Sequence, residues 1–187
     1  MDAQRHPAIS LRTYGDGMPS VAEVEGLYAA ASQPPPLSEA PDVARLFASL
    51  YGYAKKRGDF LGVSALAEGR LAGFAYGHHW TWDAETDAWS QELRRRLGEA
   101  ASERVGQSFA VALLAVHPSF ARRGLGSALL KNLMDASGAA VHWLQTTNAE
   151  TPAKRLYQRF GFKKLGLGPD APNGKPGLVL VRDAAQL

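Results

Sequence analysis

Residues 122 to 127, Arg-Arg-Gly-Leu-Gly-Ser, follow an apolar run, Phe109 to Val116, and lead into leucines at helical spacing. A strand, a short basic turn with glycines and a helix start, in that order, can bind an anion. The first backbone N–H groups of a helix have no intrahelical partner, and the helix dipole adds partial positive charge there. Glycines let a phosphate approach the main chain closely. Arg122 and Arg123 add full charge and directional donors at the same place. Taken alone, the stretch reads more readily as a solvated basic turn.

A second stretch lies downstream, ETPAKRLYQRFGFKKLG from Glu150. Together, VHPSFARRGLGSALL and PAKRLYQRFGF resemble the GNAT superfamily of acetyl-CoA-dependent N-acetyltransferases, over about Val111 to Phe162. The resemblance implies that the turn Ala121, Arg122, Arg123, Gly124, Leu125, Gly126, Ser127 cradles the pyrophosphate of coenzyme A. It also implies that main-chain groups of Leu114 and Val116 hold the pantetheine arm, and that Asn148 and Ala153 add coenzyme contacts. Ala121 stands where the family turn usually has Gln or Arg, and Glu150 where it often has Asn. Tyr157 takes the motif position of the group that protonates the departing thiolate. A tyrosine suits that task because its reference pKa, about 10, is close to that of the thiol.

The base that deprotonates the amine is harder to read. Many relatives carry a glutamate on the central strands, whereas Ser108 to Val116 has no ionisable side chain. His78 ranks first among the candidates His78, Asp83, Glu85, His79 and Glu68, because its reference pKa lies near neutrality. It also shares a strand face with Phe74, Tyr76, Trp80 and Trp82 by two-residue alternation, while Gly73, Ala75 and Gly77 fall on the other. A packed imidazole among tryptophans is the competing reading. Tyr76, Trp80, Trp82 and Asp83, with the segment that follows, are the expected acceptor pocket. No metal site is expected, since His78 and His79 point to opposite faces of a regular strand.

Composition narrows the rest. With 187 residues, 45% apolar and 21% charged, the chain reads as a single globular domain. It has no cysteine, which removes disulfides, thiolate metal ligands and an acyl-cysteine intermediate. The net charge of +3 is spread over short clusters with no recognition motif, so nucleic acid is not the expected partner. The N-terminus lacks the basic-then-apolar order of a secretory signal, and a cytoplasmic protein is expected.

Elements to position these residues follow from periodicity. Strands are predicted at Ile9 to Tyr14, Phe60 to Ala67, Leu71 to Trp82, Phe109 to Val116, Val141 to Thr147, Phe162 to Leu167 and Leu178 to Arg182. Helices are predicted at Ser20 to Ala31, from Pro41 into Lys55-Lys56-Arg57-Gly58, after Gly126, and after a Thr151 cap with Pro152 in the first turn. SQPPPLSEAP reads as a rigid connector, and the GNAT resemblance implies that it borders the substrate cleft. Residues 83 to 106 read as one helix or two short ones, either a solvated surface element or a lid. The expected fold is α/β (α+β): a mixed, mostly antiparallel central sheet flanked by helices, with a helical insertion between the third and fourth strands. Two functions follow: acetyl transfer from acetyl-CoA directly to a primary amine, or a non-catalytic acyl-CoA-binding module of the same fold. A homodimer packed through the aromatic strand stays open.

Overall fold

Glu68 and Gly69 both have positive φ, 51° and 75°, the pair of left-handed residues that a two-residue hairpin loop requires. They join β2 (Phe60–Ala67) to β3 (Arg70–Thr81), and this hairpin is the spine of the sheet. The computed structural model describes residues 9–13 and 17–184; Tyr14, the expected end of the first strand, lies outside them. The other elements are β1 (Ile9–Thr13), α1 (Val21–Ser32), α2 (Pro41–Ala54), α3 (Ala88–Leu97), α4 (Glu99–Arg104), β4 (Gln107–Val116), α5 (Leu125–Ser137), β5 (Val141–Thr146), α6 (Pro152–Arg159), β6 (Lys163–Asp170) and β7 (Pro176–Asp183). The seven strands run in the order β1-β2-β3-β4-β5-β7-β6, and every neighbouring pair is antiparallel except β4–β5.

Side-chain chemistry sets the helix starts. Ser20 caps α1 in a reciprocal box with Glu23, Asp87 caps α3 through the N–H groups of Trp89 and Ser90, and Thr151 caps α6 through Lys154. Lys55, Lys56 and Arg57 fall just past the last residue of α2, in the turn to β2, rather than inside its last turn.

The lopsided β3 packs on both faces. Its small residues admit α5: a Cβ on Gly73 would come within 2.8 Å of Leu129 Cδ1. Leu125, Leu129, Leu130, Leu133 and Met134 of α5 are buried there with Val63, Ala75 and Phe109. The aromatic face is covered by the protein's own helices. Phe74 and Tyr76 pack under α1 and α2 with Val24, Leu27 and Tyr51, while Trp80 packs beside α3 with Leu93, Val105 and Trp143. Residues 83–106 form a pair of short helices, and Leu97 and Leu93 of α3 reach Gly166 and Gly168 of β6. The insertion therefore covers the far half of the aromatic face.

His142, on β5 behind α5, has its Nε2 2.8 Å from the Ser137 hydroxyl. Burial, with Arg182 nearby, pushes its pKa from the ordinary 6.5 down to about 4. A depressed pKa means that the unfolded chain binds the proton first. Stability is thus complete above pH 6.5 and is lost as pH falls towards 4, by roughly 3 kcal/mol for a shift of this size. In His142→Leu, urea midpoints between pH 7 and pH 4 are expected to show a correspondingly smaller loss.

Candidate active site

The cleft begins where two parallel strands part. β4 and β5 pair only at Phe109 with His142 and Ala110 with Trp143. Beyond that, β4 stays on β3 and β5 stays on β7, so the central sheet opens into a V. A bulge sits at the branch: Tyr76 faces Leu113 and Gly77 faces Val111, which leaves Ala112 as the surplus residue. Ala112 is exposed in the middle of an otherwise buried central strand. Gly77 allows the bend, because a Cβ there would run into the Ala110 carbonyl and the Phe109 ring.

The bulge also shifts side-chain parity. Phe109 and Val111 face α5, whereas past Ala112 it is Leu113 and Ala115 that face α1 and Leu114 and Val116 that turn to the α5 side. The N–H of His117 donates to Ala72 of β3. In an antiparallel ladder alternate residues address the same neighbour, so the main-chain groups of Leu114 and Val116 point away from β3, into the opening. Unsatisfied strand groups lining a cleft are suited to an amide-bearing arm.

At the wide end lies the first turn of α5. Ala121, Arg122, Arg123 and Gly124 are all exposed, and both Arg122 (φ 59°) and Gly124 (φ 76°) are left-handed. No side chain caps α5, unlike α1, α3 and α6, so its leading N–H groups, with those of Leu125, Gly126 and Ser127, are available to an anion. A Cβ on Gly126 would lie 3.2 Å from Leu156 Cδ2 and 3.8 Å from Val116 Cγ2. That glycine lets α5 touch α6 and the end of β4 together.

Tyr157 follows Leu156 on α6 and packs edge-on to Phe162, with ring centroids 5.9 Å apart. Burial alone raises its pKa above the ordinary value, so the phenol keeps its proton at neutral and mildly alkaline pH. On the other side of β4, Tyr28 of α1 packs against the cluster that contains Leu113 and Ala115. Its hydroxyl donates to Glu39 Oε2 at 2.9 Å, and Tyr157 is close enough to help raise its pKa, after burial and Glu39. Glu39 belongs to the proline-rich connector, which this bond ties to α1. Nothing in the sequence pairs Tyr28 with Glu39.

The remaining candidates spread along β3. His78 and Tyr76 flank the bulge through their partners Ala110 and Leu113. His78 and His79 do point to opposite faces, one ring beside Trp80 and the other edge-on to Phe109. Trp80 is only 3% exposed, wedged against Trp143 at 4.7 Å between ring centroids. Trp82 and Asp83 lie six and seven residues beyond Tyr76, about 20 Å along the strand, and the structure does not bring them to the opening. Trp82 donates through Nε1 to Ser102 O and lines a groove of about 1060 Å3 beside Arg94, Arg95 and Arg104. Asp87 is a helix cap, and Glu85 is buried in an ion pair with Arg57. Glu68 is consumed by the hairpin turn, and His117 accepts through Nδ1 from the Ser119 N–H. Ala153 packs against the core under α6, whereas Asn148 is exposed at the end of β5. Among the described residues no group of three or more His, Cys, Asp or Glu side chains could hold a metal ion, and no helix is long and apolar enough to cross a membrane.

The Acetyltransferase (GNAT) family model matches residues 21–162, from the start of α1 to the end of the α6 turn. The chain belongs to the GNAT acetyltransferase family. GNAT folds among solved structures superpose over nearly the whole chain. The ribosomal-protein-S18-alanine N-acetyltransferase of Escherichia coli matches with a TM-score of 0.60 at 16% identity, covering 94% of each chain. NAA60 of Arabidopsis thaliana in complex with acetyl-CoA matches at 0.60 and 18%, covering 95% of this chain and 99% of that one. The PaiA N-acetyltransferase of Thermoplasma acidophilum in complex with coenzyme A matches at 0.59 and 12%, covering 94% and 99%. At such identities the likeness is one of fold. An uncharacterized protein of Mycobacterium leprae is 32% identical over 95 residues, which span 48% of this GNAT chain and 26% of that longer protein.

Proposed function

We propose that this GNAT protein transfers an acetyl group from acetyl-CoA directly to a primary amine of a small molecule or peptide. The observation that carries the reading is the V between β4 and β5. Its branch is marked by the exposed Ala112 and its wide end by the uncapped start of α5, and Tyr157 is buried in the core cluster that also holds Val111 and Leu125. These features fit the coenzyme along its length. Arg122 to Ser127 meet the pyrophosphate, the main chain of Leu114 and Val116 meets the pantetheine amides, and Ala112 leaves room for the acetyl group beside the bulge. When bound, acetyl-CoA supplies an activated acyl carbon and a thiol leaving group.

The protein's own groups do the rest. Backbone N–H groups at the bulge are fixed in place before the reaction and can stabilise charge on the thioester oxygen. Tyr157 holds a proton for the departing sulfur. Glu39, steadied by Tyr28, presents negative charge to an incoming ammonium, and His78 takes its proton. No acyl-enzyme is needed, since the chain has no cysteine and the geometry serves direct attack.

The test is thiol release from acetyl-CoA against a panel of amines, with polyamines, amino-acid derivatives, aminoglycosides and peptide N-termini as separate arms. Amine-dependent release in one arm supports transfer and names the acceptor class. Binding of acetyl-CoA without release in any arm would favour the non-catalytic module, whose support is the lack of an ionisable side chain from Ser108 to Val116.

A further inference from the structure

His78 occupies a particular gap. Across four strands the register aligns Phe60, His78, Ala110 and Trp143, all on the aromatic face. Phe60 walls one side and Trp80 lies 5.9 Å away along the strand, but the neighbour on β4 is alanine, two residues before the exposed Ala112. The imidazole therefore stands beside the small Ala110 side chain, two residues from the bulge.

Three charged groups face this ring. Arg57, from the α2–β2 turn, grips Asp59 with two parallel bonds, Nε–Oδ1 at 2.9 Å and Nη2–Oδ2 at 3.0 Å. Its Nη2 also donates to Glu85 Oε1 at 2.8 Å, and that same oxygen lies 3.4 Å from His78 Nε2. Glu85 comes from the β3–α3 connection, which folds back through the Ala84 N–H to Thr81 O bond. Its side chain is only 8% exposed. With His78 neutral, the cluster carries one positive charge against two negative ones. A buried ion pair of this sort is a poor source of stability by itself. A shared carboxylate oxygen at an imidazole, however, fixes the ring's orientation and the nitrogen that holds its proton.

We propose that Glu85, held by Arg57, is a positioning residue that keeps the proton of neutral His78 on Nε2 and leaves Nδ1 to receive a proton from the acceptor amine. The inference rests on the acetyl-transfer reading and adds the origin of its base. Among the described residues neither ring nitrogen makes a full hydrogen bond, but Nε2 has the Glu85 carboxylate 3.4 Å away whereas Nδ1 has no partner of either kind. Neither nitrogen touches solvent, so the group that exchanges protons with His78 must enter the cleft. In the step itself one N–H bond of the ammonium breaks and an Nδ1–H bond forms. Glu85 balances the imidazolium; the free amine forms the C–N bond as the C–S bond breaks, the sulfur takes the Tyr157 proton, and the second proton lost from the new amide nitrogen restores the phenol. On product release the imidazolium gives its proton to a water that enters the emptied cleft.

The charges around His78 give the test a sign. Burial and Arg57 lower its pKa, while Glu85 and Asp59 oppose that fall. In Glu85→Gln the acid limb of the kcat/KM profile is expected to move to lower pH, with about a 10- to 100-fold loss in the plateau. In Arg57→Gln the limb is expected to move the other way, and Arg57→Lys should restore it in part. His78→Gln should lose about 100-fold or more. A dead His78→Gln beside a Glu85→Gln with unchanged limb and plateau would overturn the positioning role while keeping the base. A fully active His78→Gln would overturn both and leave acetyl transfer intact. Should no amine in the panel react, or a variant fold poorly, nitrogen NMR of His78 in the folded wild type and in Glu85→Asp decides. A protonated Nε2 and a pKa changed by the substitution support the inference, and a protonated Nδ1 or an unmoved pKa refutes it.

Discussion

Replacing Tyr157 with phenylalanine is expected to lower kcat about 100-fold, the usual worth of one positioned acid, with little change in the KM for acetyl-CoA. The ring is buried against Phe162 and Leu156, and phenylalanine keeps that packing. Among the described residues the hydroxyl has no hydrogen bond that supports the fold, so folding should be unaffected. Because burial raises its pKa, Tyr157 should give no titration of its own below about pH 10 in kcat, and the phenylalanine variant should keep the wild-type pH profile at a lower plateau. Steady-state kinetics with thiol detection measures both. An unchanged kcat would make Tyr157 a packing residue.

Placing a leucine at Gly126 should instead act on the coenzyme. An added Cβ already meets Leu156 at 3.2 Å, and a longer side chain must push the first turn of α5 away from α6 and β4. The N–H groups there would no longer converge on the pyrophosphate, and the KM for acetyl-CoA should rise about 100-fold, equivalent to losing two good charge-assisted hydrogen bonds. Gly124→Ala separates conformation from space. Nothing lies within 4 Å of its added Cβ, but φ is 76°, so the cost should be near 1 kcal/mol of stability with a smaller effect on KM. Calorimetric titration with coenzyme A and urea unfolding distinguish the two.

Much of this fold could be read locally. Thr151-Pro152 marked the start of α6, and the glycine turn after an apolar strand the start of α5, because each is a short-range rule about caps or orphan N–H groups. Alternation correctly placed His78 with the aromatic row of β3. It could not say what lay over that row, which the protein's own α1, α2 and α3 cover. Nor could it show the bulge at Ala112, since one surplus residue leaves the apolar run from Phe109 to Val116 unbroken while reversing which side chains face α5. The pairs Arg57–Glu85 and Tyr28–Glu39 are 28 and 11 residues apart in sequence, and only the folded chain brings them together. Glu85 was visible as one acid beside Asp83 and Glu68. Burial is what sets it apart.

The most direct measurement is amine-dependent release of free thiol from acetyl-CoA by the purified protein, with mass spectrometry of the acceptor. Acetyl transfer predicts an acceptor heavier by one acetyl group, one thiol released per product, and no acetylated protein along the way. Tight coenzyme binding with no acetylated acceptor from any amine class would contradict it.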